Sequence, residues 1–141
     1  MLEHFFLGLG LTLATVTLHV AGLYLILRVL RPARKRQRVV AELARLGLVT
    51  FALLLVHALE MLLWAEAIQW QTSLTDFSDA LYYSMSSYTT VGYGDVVPSG
   101  HERVIGPFEA IVGILMAGLS TAFLIRVAVP SWLAELPRHH P

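Results

Sequence analysis

The chain has 141 residues, is 56% hydrophobic and only 14% charged, and has a mean hydropathy of +0.65. Soluble domains are about a quarter charged, so the composition excludes an ordinary water-soluble fold. Formal net charge is zero, which argues against a nucleic-acid binder, and cysteine is absent, which excludes a disulfide framework and thiolate metal sites.

The first apolar run spans about residues 5 to 30. Glu3 and His4 stand where a signal peptide would be basic, and the run exceeds the roughly 7–15 residues of a signal h-region. Crossing a bilayer takes roughly 20 apolar residues, so an extra N-terminal transmembrane helix is predicted over 1–30. A basic linker follows over 31–45, starting with "RPARKRQR". Its Arg31, Arg34, Lys35 and Arg38 recur at helical spacing, either as a topology determinant or as a stripe along anionic inner-leaflet lipids.

A second span is predicted over 46–68. It carries His57 and Glu60 on one face, and His19 lies at a comparable depth in the first span. Polar groups inside a membrane are functional candidates. These three read as a metal- or proton-handling cluster, or as a buried hydrogen-bonded pair joining the first two helices.

"DFSDALYYSMSSY", residues 76–88, reads as a short helix, with N-cap oxygens on Thr75, Asp76 and Ser78 and with Asp79 in the first turn. About a dozen residues at 1.5 Å each rise roughly 18 Å, too little to cross. The helix should re-enter the membrane and aim its partial negative charge at the bilayer centre. "TTVGYGD", residues 89–95, follows. Irregular backbone at membrane depth survives only when protein buries it or it lines a watery cavity. Gly92 and Gly94 permit conformations closed to other residues, so consecutive carbonyls can face one axis. Thr90 adds a hydroxyl below them, Val91 and Tyr93 pack outward, and Asp95 caps the outer end.

The third span is predicted over 104–129, ahead of a short cytoplasmic tail at 130–141 with no room for a soluble sensing domain. Glu109 in its outer half is expected to brace the short helix through Ser86 or Ser87. Only Arg103 lies between the second and third spans. The positive-inside rule therefore places the linker and C-terminus in the cytoplasm, and the N-terminus and 69–102 outside. Trp64, Trp70 and Tyr82 are expected near the outer interface.

"TTVGYGD" between two spans resembles the selectivity filter of potassium-channel pores, and the ion identity comes from that resemblance. The likeness covers roughly 46–129, and "GPFEAIVGILMAGLSTAFL" is similar to the inner helix of small bacterial three-span potassium channels. It implies an all-α membrane protein with three transmembrane helices, a re-entrant pore helix and a filter loop. Each chain holds a single pore loop, which implies a potassium-channel-like homotetramer in the cell membrane. Permeant K+ ions, and no catalytic cofactor, would sit at Thr90, Val91, Gly92, Tyr93 and Gly94. Thr89, Tyr82, Ser86, Asp95 and Glu109 would support the filter, with Tyr82 and Asp95 as a pair. Ser86 stands where some bacterial channels carry a buried glutamate. Ile114, Ala117, Thr121 and Ile125 would line the cavity from one helical face. Gly113 and Gly118 read either as a gating hinge or as small residues that let helices pack.

The first span lacks the spaced arginines of a voltage sensor, and nothing argues for an enzyme. Passive potassium conduction is the leading expectation. The alternatives are a non-conducting or regulatory channel-like subunit, and a metal- or proton-handling protein built on His19, His57 and Glu60. The gating stimulus stays open.

Overall fold

Three helices long and apolar enough to cross a bilayer dominate the computed structural model, which describes residues 2–29 and 39–133. They are α1 (Leu2–Val29), α2 (Val39–Gln71) and α4 (Ile105–Leu133), the last entered through a 3-10 turn at Gly100–Val104. The short α3 (Phe77–Tyr88) lies between α2 and α4. The described residues contain no strand.

Element bounds differ from the sequence reading mainly at the basic end. Residues 39–45, expected in the linker, belong to α2. Val39, Val40, Ala41 and Leu43 offer no breaker, and an Arg45–Glu42 ion pair of 3.2 Å spans the first turn. α4 likewise runs on to Leu133, into the expected tail. Arg31, Arg34, Lys35 and Arg38 of the expected lipid-facing linker, and residues 134–141, lie outside the described residues.

Each span buries one stripe. On α1 it is Gly8, Leu11, Thr15, His19 and Ile26; on α2 it runs from Val49 through Val56 and Glu60 to Ile68. On α4 it is Ile105, Glu109, Val112, Met116, Ser120 and Phe123. Steps of three, four or seven keep each set on one helical face. The other faces are also apolar, as Leu13, Leu54 and Ile114 illustrate, which is the pattern of helices surrounded by lipid or by other helices. Lipid is as apolar as leucine, so close packing and polar contacts must hold the helices together. Gly8 and Gly22 provide close approaches: a Cβ there would sit 2.8 and 2.7 Å from Phe108 and Val56 atoms.

The helices alternate in direction. His4 Nε2 lies 3.3 Å from the Gln71 carbonyl at one end, and Arg45 donates to the Val127 carbonyl at 3.0 Å at the other. Arg28, Arg45 and Arg126 therefore share the end opposite the 72–104 segment. Trp64, expected at an interface, is instead fully buried and donates its indole N–H to Thr15 Oγ1 at 2.8 Å. The hydroxyl satisfies the indole, so the ring needs no water. Trp70 stays exposed.

Candidate functional site

The Asp76 side chain caps α3, accepting from the Ser78 and Asp79 amides at 2.9 and 3.3 Å. That fills donors that a helix start leaves without partners. At the other end, the Thr89 amide and hydroxyl both donate to the Met85 carbonyl, at 3.2 and 2.6 Å. The chain then folds back on the helix end. The Thr90 amide reaches the Ser87 carbonyl at 2.9 Å, the Gly92 amide the Ser86 carbonyl at 3.1 Å, and the Tyr93 amide Ser86 Oγ at 3.3 Å. Loop amides thus occupy the carbonyls that a helix end leaves open.

The loop's own carbonyls have no hydrogen-bond donor among the described residues from Thr90 to Gly94. φ is positive at every second residue, 62° at Thr90, 57° at Gly92 and 77° at Gly94, but not at Val91 or Tyr93. Alternating handedness turns successive carbonyls toward one side. Glycine adopts such angles freely, whereas for Thr90 a left-handed φ costs about 1–3 kcal/mol. All seven residues of 89–95 are exposed, Tyr93 at 73%, so one chain alone leaves their side chains uncovered. At the far end of the loop, the Tyr82 hydroxyl donates to Asp95 Oδ2 at 2.9 Å. This hydrogen bond, helped by the negative charge, holds the Tyr82 hydroxyl above its ordinary pKa of 10.0.

Glu109 is buried, but its partner is Ser84 rather than the expected Ser86 or Ser87. Ser84 Oγ lies 2.5 Å from Glu109 Oε1 and 2.8 Å from the Met61 carbonyl. Ser84 stands one helical turn before Tyr88, on the face of α3 turned to α2 and α4. Ser86 is already engaged by the loop amides, and Ser87 lines a groove of about 320 Å³ with Tyr83, Thr90, Gly92 and Pro107. One hydroxyl hydrogen cannot fill both Ser84 contacts. A protonated Glu109 that donates to Ser84, which donates to Met61, satisfies both.

Ile114, Ala117, Thr121 and Ile125 all lie on the exposed side of α4, away from its buried stripe. The two glycines differ. A Cβ at Gly113 would collide with the Tyr88 carbonyl oxygen, whereas a Cβ at Gly118 would meet nothing within 4 Å. Gly113 therefore has a packing reason, the close passage of α4 by the end of α3.

A buried polar ring lies beneath the loop. His19 Nδ1 is 2.8 Å from Glu60 Oε1, and Glu60 Oε2 accepts from the Tyr88 hydroxyl. His57 Nδ1 lies 2.8 Å from that hydroxyl and 3.3 Å from Glu60 Oε2. Ser120 Oγ lies 3.0 Å from His57 Nε2 and 3.3 Å from His19 Nε2. The sequence pointed to His19, His57 and Glu60 on two helices; the structure adds Tyr88 from α3 and Ser120 from α4. Ligand-type atoms of the two histidines and Glu60 come within 4.8 Å of one another. The distances from Glu60 to both histidines and to Tyr88, and from the histidines to Tyr88 or Ser120, are those of hydrogen bonds.

The sequence is similar to those of known proteins. Residues 46–129 match the model of an ion channel family, and that match takes in α3, the loop and nearly all of α4. Potassium voltage-gated channel subfamily A member 2 of Canis lupus familiaris is 32% identical over 92 residues, covering 63% of this chain and 18% of the relative. TWiK family of potassium channels protein 18 of Caenorhabditis elegans is 34% identical over 62 residues, 43% of this chain and 12% of the relative. The chain thus spans less than a fifth of the length of the curated relatives it matches. No solved structure matches significantly. The family is one of channels rather than enzymes, and the three apolar helices make the chain a multi-pass membrane protein. The chain belongs to this ion channel family.

Proposed function

We propose that the chain is a potassium-selective channel that conducts passively as a homotetramer. The observation that carries this reading is the row of unpartnered carbonyls from Thr90 to Gly94 on alternating left-handed backbone. Bare carbonyls at membrane depth cost several kcal/mol each, and a fourfold ring of them around permeant K+ removes that cost by replacing the ion's water shell. In this reading Thr90, Val91, Gly92, Tyr93 and Gly94 hold the ions, which move by knock-on through adjacent sites, and the Thr90 hydroxyl closes the innermost site. Neighbouring subunits cover Tyr93 and Val91, both exposed on one chain. Ile114, Ala117, Thr121 and Ile125 face the cavity. Thr89, Tyr82, Ser86, Asp95 and Glu109 support the filter, directly or through α3. Gly113 packs α4 against α3, and the open Gly118 is left as the bending point.

The basic end faces the cytoplasm of a cell membrane, with the N-terminus outside, and the basic residues of the linker set that topology. The test is potassium flux into vesicles holding the purified full chain, run against sodium and repeated with Gly94→Ser. Gly94 has φ of 77°, so a serine there strains the backbone that sets the carbonyls. We expect potassium-selective flux that this change abolishes. A stable tetramer without flux would favour the regulatory-subunit reading, and flux that survives the substitution would refute the filter assignment.

A further inference from the structure

Five contacts close the buried ring: His19 Nδ1 to Glu60 Oε1, Glu60 Oε2 to Tyr88, Tyr88 to His57 Nδ1, His57 Nε2 to Ser120, and Ser120 to His19 Nε2. Each contact needs one hydrogen. With Glu60 ionised and both imidazoles neutral, the five side chains supply four, one per imidazole and one per hydroxyl. One contact is then empty, and a net negative charge lies in the middle of the bilayer. Both conditions are costly in a medium of low dielectric.

A fifth hydrogen removes both at once. In one arrangement an imidazolium faces the Glu60 carboxylate. His19 then donates to Glu60 and Ser120, Ser120 to His57, His57 to Tyr88, and Tyr88 to Glu60. In the other, Glu60 is a carboxylic acid that donates to His19, each imidazole carries one hydrogen, and the other four bonds keep their direction. Each is neutral and fills all five contacts, and the extra hydrogen can pass between the two imidazoles through the Ser120 hydroxyl. We propose that this ring is a binding site for a single proton, shared among His19, His57 and Glu60, whose loss loosens Tyr88 at the foot of the 89–95 loop.

Every element packed on the ring has been considered. α1 contributes His19, α2 His57 and Glu60, and α3 Tyr88, which keeps its hydrogen in both arrangements. α4 contributes only the Ser120 hydroxyl. Its Glu109, the other buried carboxyl among the described residues, bonds Ser84 rather than a member of the ring. The site also assigns work to α1, which lies outside the family match at 46–129. Tyr88 ends α3 and directly precedes Thr89 and Thr90, so a change in the ring is felt at the base of the loop.

The test uses the full chain, labelled with 15N-histidine, in lipid vesicles. Solid-state NMR counts the hydrogens on the four ring nitrogens of His19 and His57, and infrared absorption reports whether Glu60 is acid or carboxylate. At neutral pH three hydrogens are expected over these groups. Titration between about pH 5 and pH 9 should either keep all three or remove one in a single step that moves both imidazoles together, as coupled groups do. Two hydrogens throughout, or two independent steps, would overturn the proposal. Ser120→Ala deprives the imidazolium of its acceptor and should weaken proton binding at least about tenfold, a shift of one pH unit, while Ser120→Thr restores it. An unmoved midpoint in Ser120→Ala, or no recovery in Ser120→Thr, would count against the ring. Potassium flux in the same vesicles should fall as pH rises through any midpoint seen. A chain that does not conduct leaves the hydrogen count standing, so failure of the channel reading is distinguishable from failure of the proton site.

Discussion

The 89–95 loop and the buried ring beneath it are built on opposite plans. The loop is seven consecutive residues, all exposed, shaped by left-handed backbone at three of them. Its main-chain carbonyls from Thr90 to Gly94 find no donor among the described residues. The ring draws five side chains from four helices, from His19 to Ser120, and its contacts close within one chain. A contiguous segment can be recognised from sequence yet needs neighbours to be complete. A dispersed cluster is complete in the monomer yet has no sequence signature of its own.

Two substitutions should separate these plans, the larger effect first. Glu60→Ala leaves two imidazoles and the Tyr88 hydroxyl facing an apolar gap inside the membrane. Breaking a buried charged pair from one side typically costs about 3–5 kcal/mol, so a large fall in the thermal midpoint of the purified protein is expected. Glu60→Gln, which retains one acceptor oxygen, should fall less. Equal midpoints for wild type and Glu60→Ala would mean that the ring contributes nothing to the fold. Gly113→Ala attacks the joint between the two regions. Its methyl group meets the Tyr88 carbonyl oxygen, a backbone atom that cannot swing aside. Overpacking of this kind costs about 1–3 kcal/mol, and both the thermal midpoint and potassium flux should drop. A Gly118→Ala control meets no atom within 4 Å in one chain and should leave the midpoint unchanged. Full stability in Gly113→Ala would remove the packing role and revive the hinge reading.

What could be read in advance follows the same division. The three spans and the re-entrant helix were legible because lipid demands long apolar runs and because twelve residues cannot cross. Asp76 was visible as one of three candidate caps, since an N-cap is a local device. Partners across helices were not legible. Glu109 was assigned to Ser86 or Ser87, but helical rotation brings Ser84 to it, and Ser86 turns to the loop. Trp64 was placed at an interface by residue type, and only its contact with Thr15 on α1 explains its burial. Tyr88 and Ser120 carry no pattern that distinguishes them from neighbouring serines and tyrosines. Their role comes from depth and rotation, which a single sequence specifies only through packing.

The smallest expected effect lies at the outer edge of the loop, where Tyr82 and Asp95 meet at 2.9 Å in an exposed position. The phenol donates only while it keeps its proton, and the Asp95 hydrogen bond raises its pKa above the ordinary value of 10.0. A pKa raised on folding means that the contribution is fully present below the unfolded value and fades as pH rises through the folded one. The link is therefore constant at neutral pH and weakens only in alkali. Tyr82→Phe should leave the fold and potassium selectivity intact and speed the decline of flux during sustained conduction. It should also remove the alkaline part of that decline's pH dependence, because no ionisable donor remains. If wild type and Tyr82→Phe decline alike at neutral pH, the contact does not steady the loop. If only the alkaline behaviour is shared, Tyr82 holds the loop but another group titrates.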